Sequence, residues 1–190
     1  MPRVLVPLAE GFEELEAITI IDLLVRAKID VVTAGLKAGP VTASRGTVVV
    51  PATDLETALK QEFDMIALPG GLPGANHLRD DPRIISLLKS MTDAGKTVAA
   101  ICAAPKALAE AGILDNKTVT CFPGSIDVEQ HKHIHVIGDD VVTDGNIITS
   151  RGPGTALDFA LILIERLVGK TVRDQVESGL QRPASHIQTH

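Results

Sequence analysis

Short β-branched runs alternate with segments of helical periodicity from the start of the chain, and this alternation constrains the fold more than any other feature. Val4-Leu5-Val6 is followed by Leu15, Ile18, Ile21 and Val25 at helix spacing, then by Val31-Val32-Thr33. That order reads as a β-α-β unit. The pattern continues with Thr47 to Val50, with Asp64 to Leu68 ending in Pro69-Gly70-Gly71, and with Thr97 to Ile101 running into Cys102. A helix is expected after each of the last two. Asp81 is placed to cap the first ahead of Pro82, with Ile84, Ile85, Leu87, Leu88 and Met91 as its buried stripe. Ala104 to Ala111 forms the second, stopped by Gly112. Thr118 to Phe122 reads as a further strand, and Val141-Val142 and Ile147-Ile148 flank Asp144-Gly145 as the arms of a hairpin. Ser150 to Thr155 then turns the chain into a long helix faced by Leu157, Leu161, Ile164 and Leu167 or Val168, with Gly169 as its stop. The expected fold is α/β, flavodoxin-like and doubly wound: a mostly parallel sheet with helices on both faces, plus the β-hairpin. One domain is expected over residues 1–182, with 183–190 as a frayed tail.

Composition removes several function classes. Four Phe, no Tyr and no Trp leave few stacking platforms for bases or sugars, and a net charge of −6 argues further against nucleic acid. Two cysteines, Cys102 and Cys121, make neither a disulfide framework nor the paired spacing of a structural zinc site, so a reducing compartment is expected. Glu10, Glu13, Glu14 and Glu16 follow the first apolar residues where a signal peptide would carry a cleavage site. The apolar stretch from Ala156 to Ile164 contains Asp158 and falls well short of the ~20 residues a membrane span needs. A soluble, cytoplasmic protein is expected.

In an open parallel sheet the ligand site lies at the carboxyl ends of the strands, where the strand-to-helix loops converge. Three such loops carry chemistry: the glutamates after the first strand, Gly70-Gly71, and Cys102. Small residues on both sides of Cys102 permit a sharp elbow that presents its side chain at a helix N-terminus, which favours thiolate, the nucleophilic form. A buried structural cysteine is the competing reading. The glutamates complement a helix dipole, and one on the correct face reaches the thiol as general acid or base. Gly70 and Gly71 offer backbone N–H groups to an oxyanion, or simply make a tight turn. His131, His133 and His135 alternate, so on a strand they share one face, either as weak metal-ligand candidates or as an exposed polar edge. Cys121 reads as a core residue, and Arg151 either belongs to a turn or leans over the site to bind an anion.

Glu13-Glu14-Leu15-Glu16, Leu68-Pro69-Gly70-Gly71, Ala99-Ala100-Ile101-Cys102-Ala103 and Ser150-Arg151-Gly152-Pro153-Gly154-Thr155 together resemble the ThiJ/PfpI superfamily, in the subgroup of the Parkinson-associated DJ-one and bacterial YajL. The resemblance runs from Arg3 to about Val176. It implies that Cys102 is the reactive cysteine, that Glu16 is a protonated carboxyl hydrogen-bonded to its thiolate, and that Gly71 and Ala103 are the neighbouring backbone donors. It places Arg26 and Arg45 at a homodimer contact or around the site. It further implies cofactor-independent handling of small reactive aldehydes and dicarbonyls such as methylglyoxal, as a glyoxalase or as a deglycase of glycated protein, with no metal or glutathione. The alternative it carries is a stress-responsive redox sensor and chaperone for unfolded protein, with Cys102 oxidised to sulfinic acid. Phe122 stands where the human member has a histidine, so Glu16 is left to carry the proton transfers. Peptidase chemistry is disfavoured, because Ala103 occupies the place of that branch's histidine. Amidotransferases need a late histidine, and here His186 and His190 fall in the expected tail.

Overall fold

Strands whose side chains are apolar in both directions cannot leave either face in water, so this chain's central runs demand helices on both sides. The structure, a computed structural model, describes residues 1–182; the tail expected at 183–190 lies outside them. In chain order the elements are β1 (Arg3–Leu8), α1 (Glu14–Arg26), β2 (Asp30–Gly35), β3 (Val41–Thr42), β4 (Val48–Val49), β5 (Thr53–Asp54), α2 (Leu55–Ala58) and β6 (Met65–Leu68). Then come α3 (Gly74–Asp80), α4 (Pro82–Asp93), β7 (Thr97–Ile101), α5 (Pro105–Glu110), β8 (Thr118–Val119) and β9 (His135–Val136). The hairpin β10 (Val141–Asp144) and β11 (Ile147–Ser150) precedes α6 (Ala156–Val168) and α7 (Lys170–Gly179).

Seven strands form the main sheet in the order β10-β11-β7-β6-β1-β2-β5. All its neighbours pair parallel except β10 and β11, the antiparallel hairpin. This is the expected flavodoxin-like doubly wound fold. The two-residue period of each strand sorts its side chains between two cores. Val4, Val6, Met65, Ala67, Ala99, Ile101 and Ile148 pack against α1 and α6, while Leu5, Ile66, Leu68, Val98, Ala100 and Ile147 pack against α3, α4 and α5. Asp81 caps α4 by accepting the Arg83 N–H at 2.9 Å, and Gly112 follows α5 at φ +69°.

Five expectations are corrected. The α1 stripe of Leu15, Ile18, Ile21 and Val25 does not face the core: Leu15, Ile18 and Val25 are exposed, and Glu16, Ala17, Ile20, Leu23 and Leu24 are buried instead. The helix is apolar on both sides, so periodicity alone was satisfied by either face. Thr47 to Val50 contributes only β4, which pairs with β3 outside the main sheet and leaves Val48 and Val50 exposed. Thr118 to Phe122 shortens to β8, paired with β9. The three histidines do not alternate along one strand, since only His135 lies in β9 while His131 and His133 belong to the preceding turn region. Among the described residues no group of three His, Cys, Asp or Glu is arranged to hold a metal ion. Leu157 is also 38% exposed, although Leu161 and Ile164 are buried as expected.

The helix α7 carries only a narrow apolar stripe, Val172 and Val176 continued by Leu180 just past its end, packed on the α1 side of the core; Val176 is its one buried residue. Ion pairs one turn apart, Lys170 with Asp174 at 2.6 Å and Arg173 with Glu177 at 3.2 Å, support it as well. No helix among the described residues is long and apolar enough to cross a membrane. Because Leu24 is fully buried, Leu24→Ala should lower unfolding stability by about 2–5 kcal/mol in a urea titration. A change under about 0.5 kcal/mol would place it on a solvent-facing surface.

Candidate active site

Cys102 follows the last residue of β7 and adopts φ +62°, a left-handed conformation that a side chain other than glycine rarely takes. Two backbone hydrogen bonds pin it there: its N–H donates to the Ser150 carbonyl at 2.9 Å, and its carbonyl accepts the Phe122 N–H at 2.8 Å. Ser150 is itself held, its hydroxyl donating to the Asp140 carbonyl at 2.9 Å and lying 2.6 Å from the Thr155 hydroxyl. The Ser150–Thr155 motif therefore supports the elbow from behind, a role its turn-like sequence did not disclose. Cys102 is 7% exposed, and the backbone N–H groups of Gly71 and Ala103 lie near enough to its sulfur to favour the thiolate.

Glu16 comes to the same point from α1. It stands in phase with Ile20, Leu23 and Ala27, on the buried side of the helix, and is wholly inaccessible. Its Oε2 accepts the Gly70 N–H at 2.7 Å, while Oε1 is buried with no hydrogen-bond partner among the described residues. Gly70 is the contact on which this arrangement turns. A Cβ there would lie 2.7 Å from the Cys102 Cβ and 2.8 Å from Glu16 Oε2, so any side chain would push acid and thiol apart. Its N–H is spent on the carboxyl and is not free for an oxyanion. Gly71, at φ +87°, is crowded by the backbone of Gly11, Phe12 and Glu13, which lets the Glu13 N–H reach the Gly70 carbonyl at 2.9 Å and ties the two loops together.

The remaining glutamates are engaged elsewhere. Glu10 accepts the Thr42 N–H at 3.1 Å, Glu13 the Ser44 hydroxyl at 2.9 Å, and Glu14 the Arg45 N–H at 3.1 Å. They hold the β3–β4 loop over the start of α1. Arg26 lies on the last turn of α1, paired with Asp22 at 2.7 Å, ten residues beyond Glu16 and so roughly 15 Å further along the helix. Arg151 does not lean over the cysteine; its guanidinium donates to the Gly138 carbonyl at 2.9 Å and lies 3.8 Å from Asp140, bracing that loop. Phe122 is half exposed beside the elbow. Cys121 belongs to the core on the α4 side of the sheet, whereas Cys102 belongs to that on the α1 side.

Burial pushes the Glu16 carboxyl up to about 7, against the lowering effect of the neighbouring Cys102 thiol and of the Gly70 N–H. Burial likewise pushes the Cys102 thiol up to about 12, aided by the charge and closeness of the Glu16 carboxyl and opposed by the Gly71 and Ala103 N–H groups. The two groups titrate as a pair. One proton leaves near neutrality, and the second is held because two negative charges would then share a dry site. In the singly ionised pair, Gly70 stabilises charge on oxygen while Gly71 and Ala103 stabilise it on sulfur. The first proton is lost from Glu16, so carboxylate beside thiol is the favoured form; the expected neutral acid beside a thiolate is the minor one, because burial disfavours the thiolate more than the Gly71 and Ala103 N–H groups favour it.

Against known proteins, the model of the DJ-1/PfpI family matches residues 2–166. The chain belongs to the DJ-1/PfpI family. Protein dj-1beta of Drosophila melanogaster is 43% identical over 177 residues, covering 93% of this chain and 95% of that relative. The crystal structure of Drosophila DJ-1beta superposes with a TM-score of 0.90 at 41% identity, covering 96% of this chain and 98% of that one. A Caenorhabditis elegans family member named glutathione-independent glyoxalase DJR-1.2 is 39% identical over 160 residues, 84% of this chain and 85% of its own length.

The folded state binds the Glu16 proton more tightly than the unfolded chain, whose carboxyl titrates near 4.5. Between pH 4.5 and 7 the native protein therefore carries the extra proton, and its stability falls as pH rises, by roughly 3 kcal/mol in all. Urea titrations at pH 5 and pH 7.5 should show this decline, and Glu16→Gln should flatten it. An identical pH dependence in the variant would exclude Glu16 as its source.

Proposed function

We propose that the protein is a cysteine-dependent, cofactor-independent glyoxalase that converts an α-oxoaldehyde such as methylglyoxal to the 2-hydroxy acid. The observation that carries this reading is the wholly buried Glu16 carboxyl with one oxygen unpartnered, set against a nucleophile held at positive φ. The Cys102 thiolate adds to the aldehyde carbon, the carbonyl π pair moves to oxygen, and that oxygen takes the Glu16 proton to give a hemithioacetal. The alkoxide develops two bonds from the sulfur, near the Gly71 and Ala103 N–H groups, which stabilise it. The Glu16 carboxylate then removes the hydrogen from the carbon attached to sulfur. The resulting enediolate takes that proton back from Glu16 at the neighbouring carbon, and the hydroxyl on the first carbon passes its proton to the neighbouring oxygen as the thioester C=O forms. Water cleaves the thioester, releasing the hydroxy acid and restoring the pair. The aldehyde carbon is oxidised and the ketone carbon reduced within one molecule, so electrons balance without an external partner. Phe122 has no proton to offer, which leaves Glu16 as the shuttle. The glyoxalase name of the worm relative supports this reading.

The second part of the proposal is a homodimer. Leu15, Ile18 and Val25 form an exposed apolar strip on α1, and Val48 and Val50, beyond the loop that Glu14 holds, are exposed as well. The Arg45 and Thr47 N–H groups bind Glu14, which fixes that loop against the helix. A strip of this kind is what two copies bury in a stable pair.

With methylglyoxal as substrate, Cys102→Ala should abolish lactate formation and Glu16→Gln should reduce kcat by about 10²–10⁴-fold. Lactate formation undiminished in Cys102→Ala would overturn the mechanism. Peroxide modification of Cys102 in a wild type that forms no lactate would favour the redox-sensing alternative. Ile18→Glu should convert the dimer to monomer in sedimentation velocity, and an unchanged sedimentation coefficient would place the interface elsewhere.

A further inference from the structure

Next to the Cys102 elbow lies a groove whose lining includes neither Cys102 nor Glu16. The Phe122 N–H bonds the Cys102 carbonyl at 2.8 Å, so this residue lies next to the nucleophile, yet its ring is 50% exposed. The ring borders a groove of about 580 Å³ whose lining includes Pro123, Val136, Ile137 and Pro153, with Arg151 also at its edge. Val136 and Ile137 are more than a third exposed there, which leaves three large apolar side chains in one concavity. Gly152 supports the arrangement, since a Cβ at that position would contact the Phe122 ring at 3.6 Å; the ring is seated against the Gly152 backbone. Cys121 also lines the groove, and burial pushes its thiol up, so it is uncharged near neutrality and acts as an apolar surface. The Arg151 guanidinium is directed to the Gly138 carbonyl.

A methyl group fills little of such a space, whereas a larger apolar substituent would remove both itself and these side chains from water. We propose that Phe122 and Ile137 are specificity-determining residues that bind the organic substituent of the substrate. The preferred substrates are α-oxoaldehydes carrying an apolar group about the size of a phenyl ring, an inference that rests on the glyoxalase reading above. Reaction at Cys102 is unchanged by it: the aldehyde carbon still bonds to sulfur, and the substituent on the ketone carbon occupies the groove.

Phenylglyoxal and methylglyoxal serve as probes, giving mandelate and lactate. The ratio of kcat/KM for phenylglyoxal to that for methylglyoxal should fall about tenfold or more in both Phe122→Ala and Ile137→Asp. Phe122→Leu should recover part of it. A ratio unchanged in both variants overturns the inference while leaving the glyoxalase reading intact. If neither compound is turned over, the glyoxalase reading fails, and the groove is then read by protection of Cys102 from iodoacetamide. Stronger protection by mandelate than by lactate, lost in Phe122→Ala, would support the groove's role, and equal protection by the two acids would overturn it.

Discussion

The close approach of a carboxyl and a thiol across Gly70 is the constraint on which the rest of this site depends. Three strand ends must meet within a few ångströms for it to exist: β1 leads to the helix carrying Glu16, β6 to Gly70, and β7 to Cys102. A side chain at Gly70 would occupy the space between the pair. The loops are then locked to one another by backbone hydrogen bonds from Glu13 to Gly70, Cys102 to Ser150 and Phe122 to Cys102. Burying a carboxyl with one oxygen unpartnered opposes folding near neutrality. Such local instability is expected where chemistry needs a proton held out of water.

The sheet resolves what the two cysteines are. Each cysteine follows the end of a strand, and Cys102 and Cys121 fall in different cores although the Phe122 N–H touches the Cys102 carbonyl. Cys102 meets an acid and two N–H donors; Cys121 forms part of a groove wall. The same division separates the glutamates. Glu16 shares the inward phase of α1, while Glu13 and Glu14 hold Ser44 and Arg45 at the surface. One acidic run thus supplies both the carboxyl buried against the thiol and the clasp that positions the β3–β4 loop.

A site made of one thiol, one carboxyl and backbone N–H groups needs no aromatic platform, which agrees with a chain holding four Phe and neither Tyr nor Trp. The one phenylalanine that stands half exposed next to the cysteine is therefore conspicuous. It cannot transfer a proton, but it can shape what fits.

The amino-acid order by itself determined the doubly wound architecture, because β-branched runs separated by amphipathic segments have few other ways to bury both faces of a sheet. It also determined the hairpin at Asp144-Gly145, the Asp81 cap and the elbow at Cys102, each encoded by residues adjacent in the chain. The tertiary structure alone decided which face of α1 turns inward, since Leu15, Ile18 and Val25 and the set of Ala17, Ile20 and Leu24 satisfy the same helical period. It alone decided the fates of Arg151 and the three histidines, which depend on carbonyls and turns remote in sequence. The pairing of Glu16 with Cys102 lies between the two. The motifs named both residues through their family resemblance, but only packing shows why they meet: α1 and β7 converge where glycine leaves the space, and burial there raises the proton affinity of both groups.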